Sequence, residues 1–415
     1  MAEGMRPDAA HRVAPVAGGI LAPGGFTAGA VHCGIKASPS ALDLAVLAAD
    51  APAAAAALFT TNLVQAAPVT LSRQHLDRAG GTARAVVVNS GCANACTGAQ
   101  GFAHATQMAS ETARALGCAP EQVLVASTGV IGVALKIDRV VAGIRSAAAA
   151  MSRDAGAGAA AARAIMTTDP FSKDYAVTVE TSHGSFTVGG MAKGSGMIEP
   201  NMATMLGFLT TDARVSPALL RTTLQMSARD TFNAITVDGE CSTNDSLFAL
   251  ASGASGVTID QDGYPALLAG FLAVSRELAV GIVRGGEGAT KLIAVTVSDA
   301  PTMDAARQVA RTIANSPLVK TAVHGADPNW GRIVAAAGRS GVPLDINRLT
   351  VHVGGTLLFE HGLPHDEAAP VAAQHLRNAT IQIDVSLGSG GGVSATIWTC
   401  DLSAEYVRIN GEYRT

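Results

Sequence analysis

Aromatic side chains are scarce: ten Phe, four Tyr and two Trp make up 4% of 415 residues. A core for a chain this long must therefore be filled by Ala, Val, Leu and Ile in tight layers, which suits α/β packing. Charge is sparse too, 15% of residues with a net balance of −4. With no basic field for a polyanion, nucleic acid is not an expected partner. Six cysteines, at 33, 92, 96, 118, 241 and 400, include no C-x-x-C pair, which argues against a disulfide scaffold and for a reducing, cytoplasmic setting. Cys92 and Cys96 have the separation of two metal ligands, but no neighbouring His or Cys pair completes a set. Small buried thiols are the plainer reading, and no metal is expected.

Long hydrophobic runs are also missing, and no uninterrupted apolar stretch reaches membrane-spanning length. Residues 13–31 have the look of a weak secretory segment behind Arg6 and Arg12, yet Gly and Pro recur every few positions and would break its helix. They read as an irregular lead-in. G-x-S-x-G, G-x-x-x-x-G-K-[ST] and H-E-x-x-H are all absent, which removes the commonest hydrolase, nucleotide-binding and zinc-protease chemistries. The Gly-rich 388–393 fails the dinucleotide spacing. Ten dispersed histidines give little support to a His-centred triad.

What is present is an alternation. Strand-like stretches at 83–91, 121–128, 290–300, 348–355 and 379–388 alternate with helical patterns at 102–116, 137–151, 217–232, 265–280 and 303–313. Ser216 before Pro217 is a good helix start, the hydroxyl capping the first amides and the proline filling the first turn. The Ala-rich 153–164 reads as a loop-to-helix joint. Both halves of the chain look α/β.

Near the middle, KGSGMIEPNMATMLGFLTTDA (193–213) runs from irregular backbone into a strand through Thr204. A threonine hydroxyl needs a base to act as nucleophile. If the Ala203–Thr204 bond is cut, Thr204 acquires an α-amine of pKa about 7.7–8.0, roughly a tenth neutral at pH 7, far more than a lysine amine near 10.4. The same hydroxyl, held over the small Ala203 carbonyl, can make that cut by an acyl shift from nitrogen to oxygen. Without its context, a β-branched residue opening a buried strand is the better explanation of Thr204.

The context is extensive. GGMAKGSGMIEPNMATML (189–206), GIKAS (34–38), NSGCANACTG (89–98), STGVIG (127–132), IMTTD (165–169), DGECSTND (238–245), EGATK (287–291), LVKTAVHGADPNWGR (318–332) and NGEYRT (410–415) occur in order along the chain. Together they closely resemble the ornithine acetyltransferase family, the bifunctional glutamate N-acetyltransferases of arginine biosynthesis. The resemblance implies a layered α/β sandwich with a smaller second α/β domain, self-cleaved into interleaved chains 1–203 and 204–415. Two copies of each would form a heterotetramer. It also implies acetyl transfer from N2-acetylornithine to L-glutamate through acyl-Thr204, with no diffusible cofactor and with acetyl-CoA as a possible further donor.

Residue by residue, the resemblance makes Thr128 and Gly129 the oxyanion hole and Ala203 with Thr204 the cleavage site. It makes Thr167, Lys193, Thr204, Glu287, Asn410 and Thr415 substrate contacts. A one-residue slip would exchange Thr167 for Thr168. Lys193 suits a carboxylate and Glu287 an ammonium group; Asn410 and Thr415 require the tail to fold back over the pocket. Asp327 to Arg332 mixes turn formers with a tryptophan and is a candidate to line the cleft. Two other readings stay open: an N-terminal-threonine amidohydrolase or aminopeptidase, and an α/β binding protein in which Thr204 is structural.

Overall fold

The computed structural model describes residues 11–199 and 205–412. Two mixed sheets organise them. The larger contains β1 (His11–Pro15), β2 (Phe26–Val31), β3 (Leu44–Phe59), β4 (Thr82–Cys92), β5 (Val123–Val130), β6 (Lys173–Thr181), β7 (Gly184–Lys193), β8 (Leu206–Thr211) and β9 (Ser246–Ala251). Their spatial order is β1-β6-β7-β8-β9-β3-β4-β5, with β2 also on β3. Only β4–β5 and β8–β9 run parallel among these pairs.

Strand alternation assigns the two faces of this sheet. Phe208, Phe248, Leu250, Val86 and Val88 point to one side, where α4 (Ala155–Ala164) packs. Leu209, Leu247, Ala249 and Val87 point to the other. That side is covered by α1 (Ala67–Arg78), α2 (Gly98–Leu116), α3 (Ile137–Ala149), α5 (Pro217–Arg229) and α6 (Tyr264–Arg284). By length and composition α6 is apolar enough to cross a bilayer. Here Leu267, Phe271, Val274, Leu278 and Ile282 are buried against the sheet, making it a core helix.

The smaller sheet carries β10 (Leu292–Ala300), β11 (Thr350–Val353), β12 (Thr356–Glu360), β13 (Leu363–Pro364), β14 (Thr380–Ser386) and β15 (Val393–Cys400), ordered β13-β12-β11-β14-β10-β15. Its core joins Val295, Val297, Ile381 and Ile383 to α7 (Met303–Ala314), α8 (Pro317–His324), α9 (Trp330–Gly338) and α10 (Ala369–His375). The last helix, α11 (Ala404–Glu412), returns toward the larger sheet.

The strand and helix expectations hold in kind, and the Ser216 hydroxyl caps α5 by accepting from the Leu219 amide at 3.3 Å. The irregular lead-in does not hold. Residues 13–31 include most of β1, a short 3-10 turn and β2. Gly18, Gly19 and Gly25 take positive φ in the connections, so they interrupt a helix but leave the short strands between them intact.

Candidate active site

The parallel ends of β4 and β5 build the first wall of a pocket. Gly129 has φ +126°, and a Cβ there would collide with the backbone of Gly91 and Cys92, so this strand end admits only glycine. Amide side chains tie the wall together. Asn89 Oδ1 accepts from Ser127 Oγ at 2.6 Å, while Asn244 Nδ2 donates to the carbonyls of Ala93 and Ser127 at 2.6 and 2.8 Å. Thr128 and Gly129 are thereby held at the pocket surface.

Opposite them, Lys193 closes β7 with only 8% exposure, and its Nζ donates to Thr128 Oγ1 at 3.3 Å. Beneath it lies an ion pair sealed from water: Lys173 Nζ stands 2.6 Å from Asp169 Oδ1. The same carboxylate accepts the amides of Gly194 (2.8 Å) and Thr167 (3.0 Å). Burial pushes the Asp169 carboxyl up, but the charges of Lys193 and Lys173 outweigh it and bring the group down to about 2. Asp169 therefore ties Lys173, Gly194 and the pocket-lining Thr167 together. Thr167 and Thr168 both line the pocket, which leaves the choice between them open.

The far end is acidic. The Glu287 amide donates to the Ser195 carbonyl at 3.0 Å, and Ser195 Oγ donates to the Gly285 carbonyl at 2.7 Å. Gly196 lies so close to the Glu287 carboxylate that a side chain there would occupy its place. Asn410 on α11 donates from Nδ2 to Glu287 Oε2 at 2.8 Å, so the tail does fold over the pocket. Next to it, Tyr406 Oη donates to Asp238 Oδ2 at 3.3 Å, and burial together with the Asp238 charge raises the phenol's pKa.

Asp238 also anchors the approach to the seam noticed in the sequence. Its carboxylate accepts the amides of Met197 (2.6 Å) and Ile198 (2.8 Å). The Glu199 carboxylate is held by Thr236 Oγ1 (3.0 Å) and the Asn315 amide group from the second unit. On the far side, the Met205 carbonyl accepts from the Ser246 amide at 3.0 Å. Ile198 and Met205 both line the pocket.

Thr128, Gly129, Thr167, Lys193, Glu287 and Asn410 thus meet in one place, contributed by five separate stretches of chain. Ala203, Thr204 and Thr415 lie outside the described residues. The 327–332 segment does not line the pocket: Asn329 caps α9 through the Arg332 amide (3.2 Å) and Trp330 stacks on Phe359, both serving the second unit. Sequence reasoning missed Asp169, Lys173, Asp238, Asp245 and Tyr406. Three of these, Asp169, Asp238 and Asp245, are acidic residues of IMTTD and DGECSTND, motifs whose resemblance assigned no role to their carboxylates. Among the described residues no group of three His, Cys, Asp or Glu could hold a metal ion.

Residues 27–415 match the model of the ArgJ family. A protein of Symbiobacterium thermophilum named arginine biosynthesis bifunctional protein ArgJ is 50% identical over 406 residues, covering 96% of this chain and 99% of its own length. A namesake from Thermosynechococcus vestitus is 49% identical over 418 residues, covering 96% and 99%. The crystal structure of an ornithine acetyltransferase from Mycobacterium tuberculosis, complexed with ornithine, is 44% identical, covers 46% of this chain and 100% of its own, and superposes with a TM-score of 0.43. The family match spans nearly the whole chain and the two relatives agree with it end to end, so this chain belongs to the ArgJ family.

Proposed function

We propose that this protein cuts its own Ala203–Thr204 bond and then carries an acetyl group from N2-acetylornithine to L-glutamate on the Thr204 hydroxyl. The new α-amine of Thr204 serves as the base. The Thr128 hydroxyl and the Gly129 amide receive the developing oxyanion. Because Lys193 donates to Thr128 Oγ1, the hydroxyl's own proton is free to point at that oxyanion, and the ammonium strengthens it as a donor. Lys193 takes the α-carboxylate shared by donor and acceptor, with Thr167 beside it. Glu287, Asn410 and Thr415 take the distal end. One pocket then serves both half-reactions, in ping-pong order and with no diffusible cofactor.

After the cut, chains 1–203 and 204–415 stay together, since β7 and β8 are paired from Val188–Thr211 to Lys193–Leu206 across the seam. Two copies of each chain form the assembly, working in the cytoplasm. The relatives' description as bifunctional favours acetyl-CoA as a second donor. The observation that carries this reading is the convergence of an oxyanion strand end, a buried lysine and a carboxylate at the two flanks of the 200–204 segment.

Intact-mass measurement of the purified protein is expected to give two chains, and of Thr204→Ala a single one. Acetyl-labelled donor should label the chain that begins at Thr204, and glutamate should release the label as N-acetylglutamate. Label leaving only as free acetate would identify a hydrolase. An unbroken yet active wild type would overturn the reading.

A further inference from the structure

Among the buried carboxylates at the loops of this fold, Asp43, Asp169 and Asp401 are saturated with donors. Asp43 accepts the amides of Cys33 (2.6 Å), Gly34 (3.1 Å), Ile35 (2.8 Å) and Lys36 (3.1 Å). Asp169 accepts one ammonium and two amides. Asp401 accepts the amide and hydroxyl of Thr290, the Lys291 amide and the His324 ring. Such carboxylates are there to organise backbone, and their ionised form is well solvated by protein.

Asp245 differs. It is 2% exposed and lines the pocket, yet its Oδ2 has no hydrogen-bond partner among the described residues. It immediately precedes β9, where Ser246 stands in register with Leu206 and holds the Met205 carbonyl, so Asp245 sits alongside Met205, one residue from the proposed cut. The Ser242 hydroxyl and the amides of Ser242 and Met205 face its carboxyl group. Burial pushes that carboxyl well above the usual carboxylate range, and the Ser242 contact and the Lys193 charge only partly oppose the rise. A protonated acid has one O–H to give and a carbonyl oxygen to accept with.

The self-cleavage needs such a group. The α-amine that serves the mature enzyme does not exist until the peptide bond is broken, so the precursor must find its base elsewhere. An amide nitrogen also leaves poorly unless it is protonated as the bond breaks. We propose that Asp245 is the proton shuttle of self-cleavage, a role that rests on Thr204 being the cut residue. As the Thr204 hydroxyl oxygen bonds to the Ala203 carbonyl carbon, one carboxyl oxygen of Asp245 takes the hydroxyl proton. The other delivers its proton to the Thr204 nitrogen, the C–N bond breaks and an ester remains. Asp245 ends protonated as it began, and water then splits the ester.

The test follows maturation of precursor made by cell-free translation, with wild type, Asp245→Asn and Thr204→Ala side by side. Asparagine keeps the shape and neutrality of the acid but cannot exchange protons in this way, so Asp245→Asn is expected to mature about a hundredfold or more slowly, the scale of general acid–base catalysis. The wild-type rate should also fall as pH rises through the ionisation of Asp245, a limb missing from the Asn variant. Lys193, Asp238, Glu240, Glu287 and Tyr406, the other titratable groups around the pocket, are common to both and cancel in the comparison. Maturation of Asp245→Asn at the wild-type rate, or a wild-type profile with no such limb, would overturn the shuttle. Cleavage of Thr204→Ala at the wild-type rate would instead overturn the nucleophile assignment. Should the Asn variant fail to fold, the wild-type pH profile decides alone.

Discussion

The two ends of the pocket are built differently. Around Lys193, every anchor comes from the larger sheet and its loops, and the central pair is closed to solvent, Lys173 and Asp169 side chains being 2% and 0% exposed. Around Glu287 the parts come from different layers: the loop after α6, the returning helix α11 with Asn410 on its exposed face, and Asp238 beneath Tyr406. Charge fixed in a dry wall suits what donor and acceptor have in common, their α-carboxylate. An end assembled from several layers, with Glu287 buried but Asn410 at the surface, suits what the proposed substrates do not share, an ammonium in one and a carboxylate in the other.

The sharpest way to break the contrast is to open the rigid end. In Asp169→Ala, Lys173 keeps its burial but loses its counter-charge, and the Gly194 and Thr167 amides lose their acceptor. A loss of about 3–5 kcal/mol is expected, measurable by chemical denaturation. Removing both charges, as Asp169→Leu with Lys173→Met, should recover much of it, because the isolated ion and not the missing pair is what costs most. The acid limb of stability reports the same group. Since Asp169 is held at about 2 in the fold against 3.8 when free, its contribution is complete above about pH 4 and is lost as pH falls through 2. That difference amounts to roughly 2 kcal/mol, read from denaturation midpoints across the range.

That rigid end was only partly legible in the sequence. Lys193 and Thr128 stood inside matched motifs and were found. Asp169 stood in one too, but nothing in a one-dimensional pattern says that a carboxylate will be buried between two lysines contributed by neighbouring antiparallel strands. The lead-in shows the converse difficulty: glycine and proline in 13–31 correctly forbade a helix, while the pairing of β1 with β6 and β2 with β3 depends on partners far along the chain. Helix α6 was plain from its periodicity, although its last turn ran past the expected end. The alternation of strands and helices was readable. The return of α11 onto Glu287 was readable only through the family resemblance, since a chain terminus carries no periodic signal of where it will dock.

At the Glu287 end, Glu287→Gln sharpens the comparison by separating the half-reactions. It removes the charge proposed to favour the ornithine ammonium and disfavour a second carboxylate. A charge-assisted hydrogen bond of about 1.5–3 kcal/mol is lost for acetylornithine, so kcat/KM for that donor is expected to fall roughly ten- to hundredfold. The glutamate half should suffer less, as a burst and partition experiment with acetylated enzyme would reveal. Equal losses in both would mean that Glu287 organises the loop instead of reading the distal group.

The smallest effect belongs to Asn410. Its Nδ2 bonds Glu287 Oε2 from one side and the Tyr406 carbonyl from the other, at 2.8 and 3.0 Å, so it locks the carboxylate's orientation from an exposed position where water can replace it. Truncation to alanine therefore forfeits a partly solvated bond, about 1 kcal/mol, with little change in denaturation midpoint. The loss should appear mainly as a higher KM for acetylornithine, because an unrestrained Glu287 still carries its charge but must be ordered by each substrate that binds. If Asn410→Ala instead lowers kcat with KM unchanged, the tail acts on the transition state. The outer end of the pocket would then be as preorganised as the inner one.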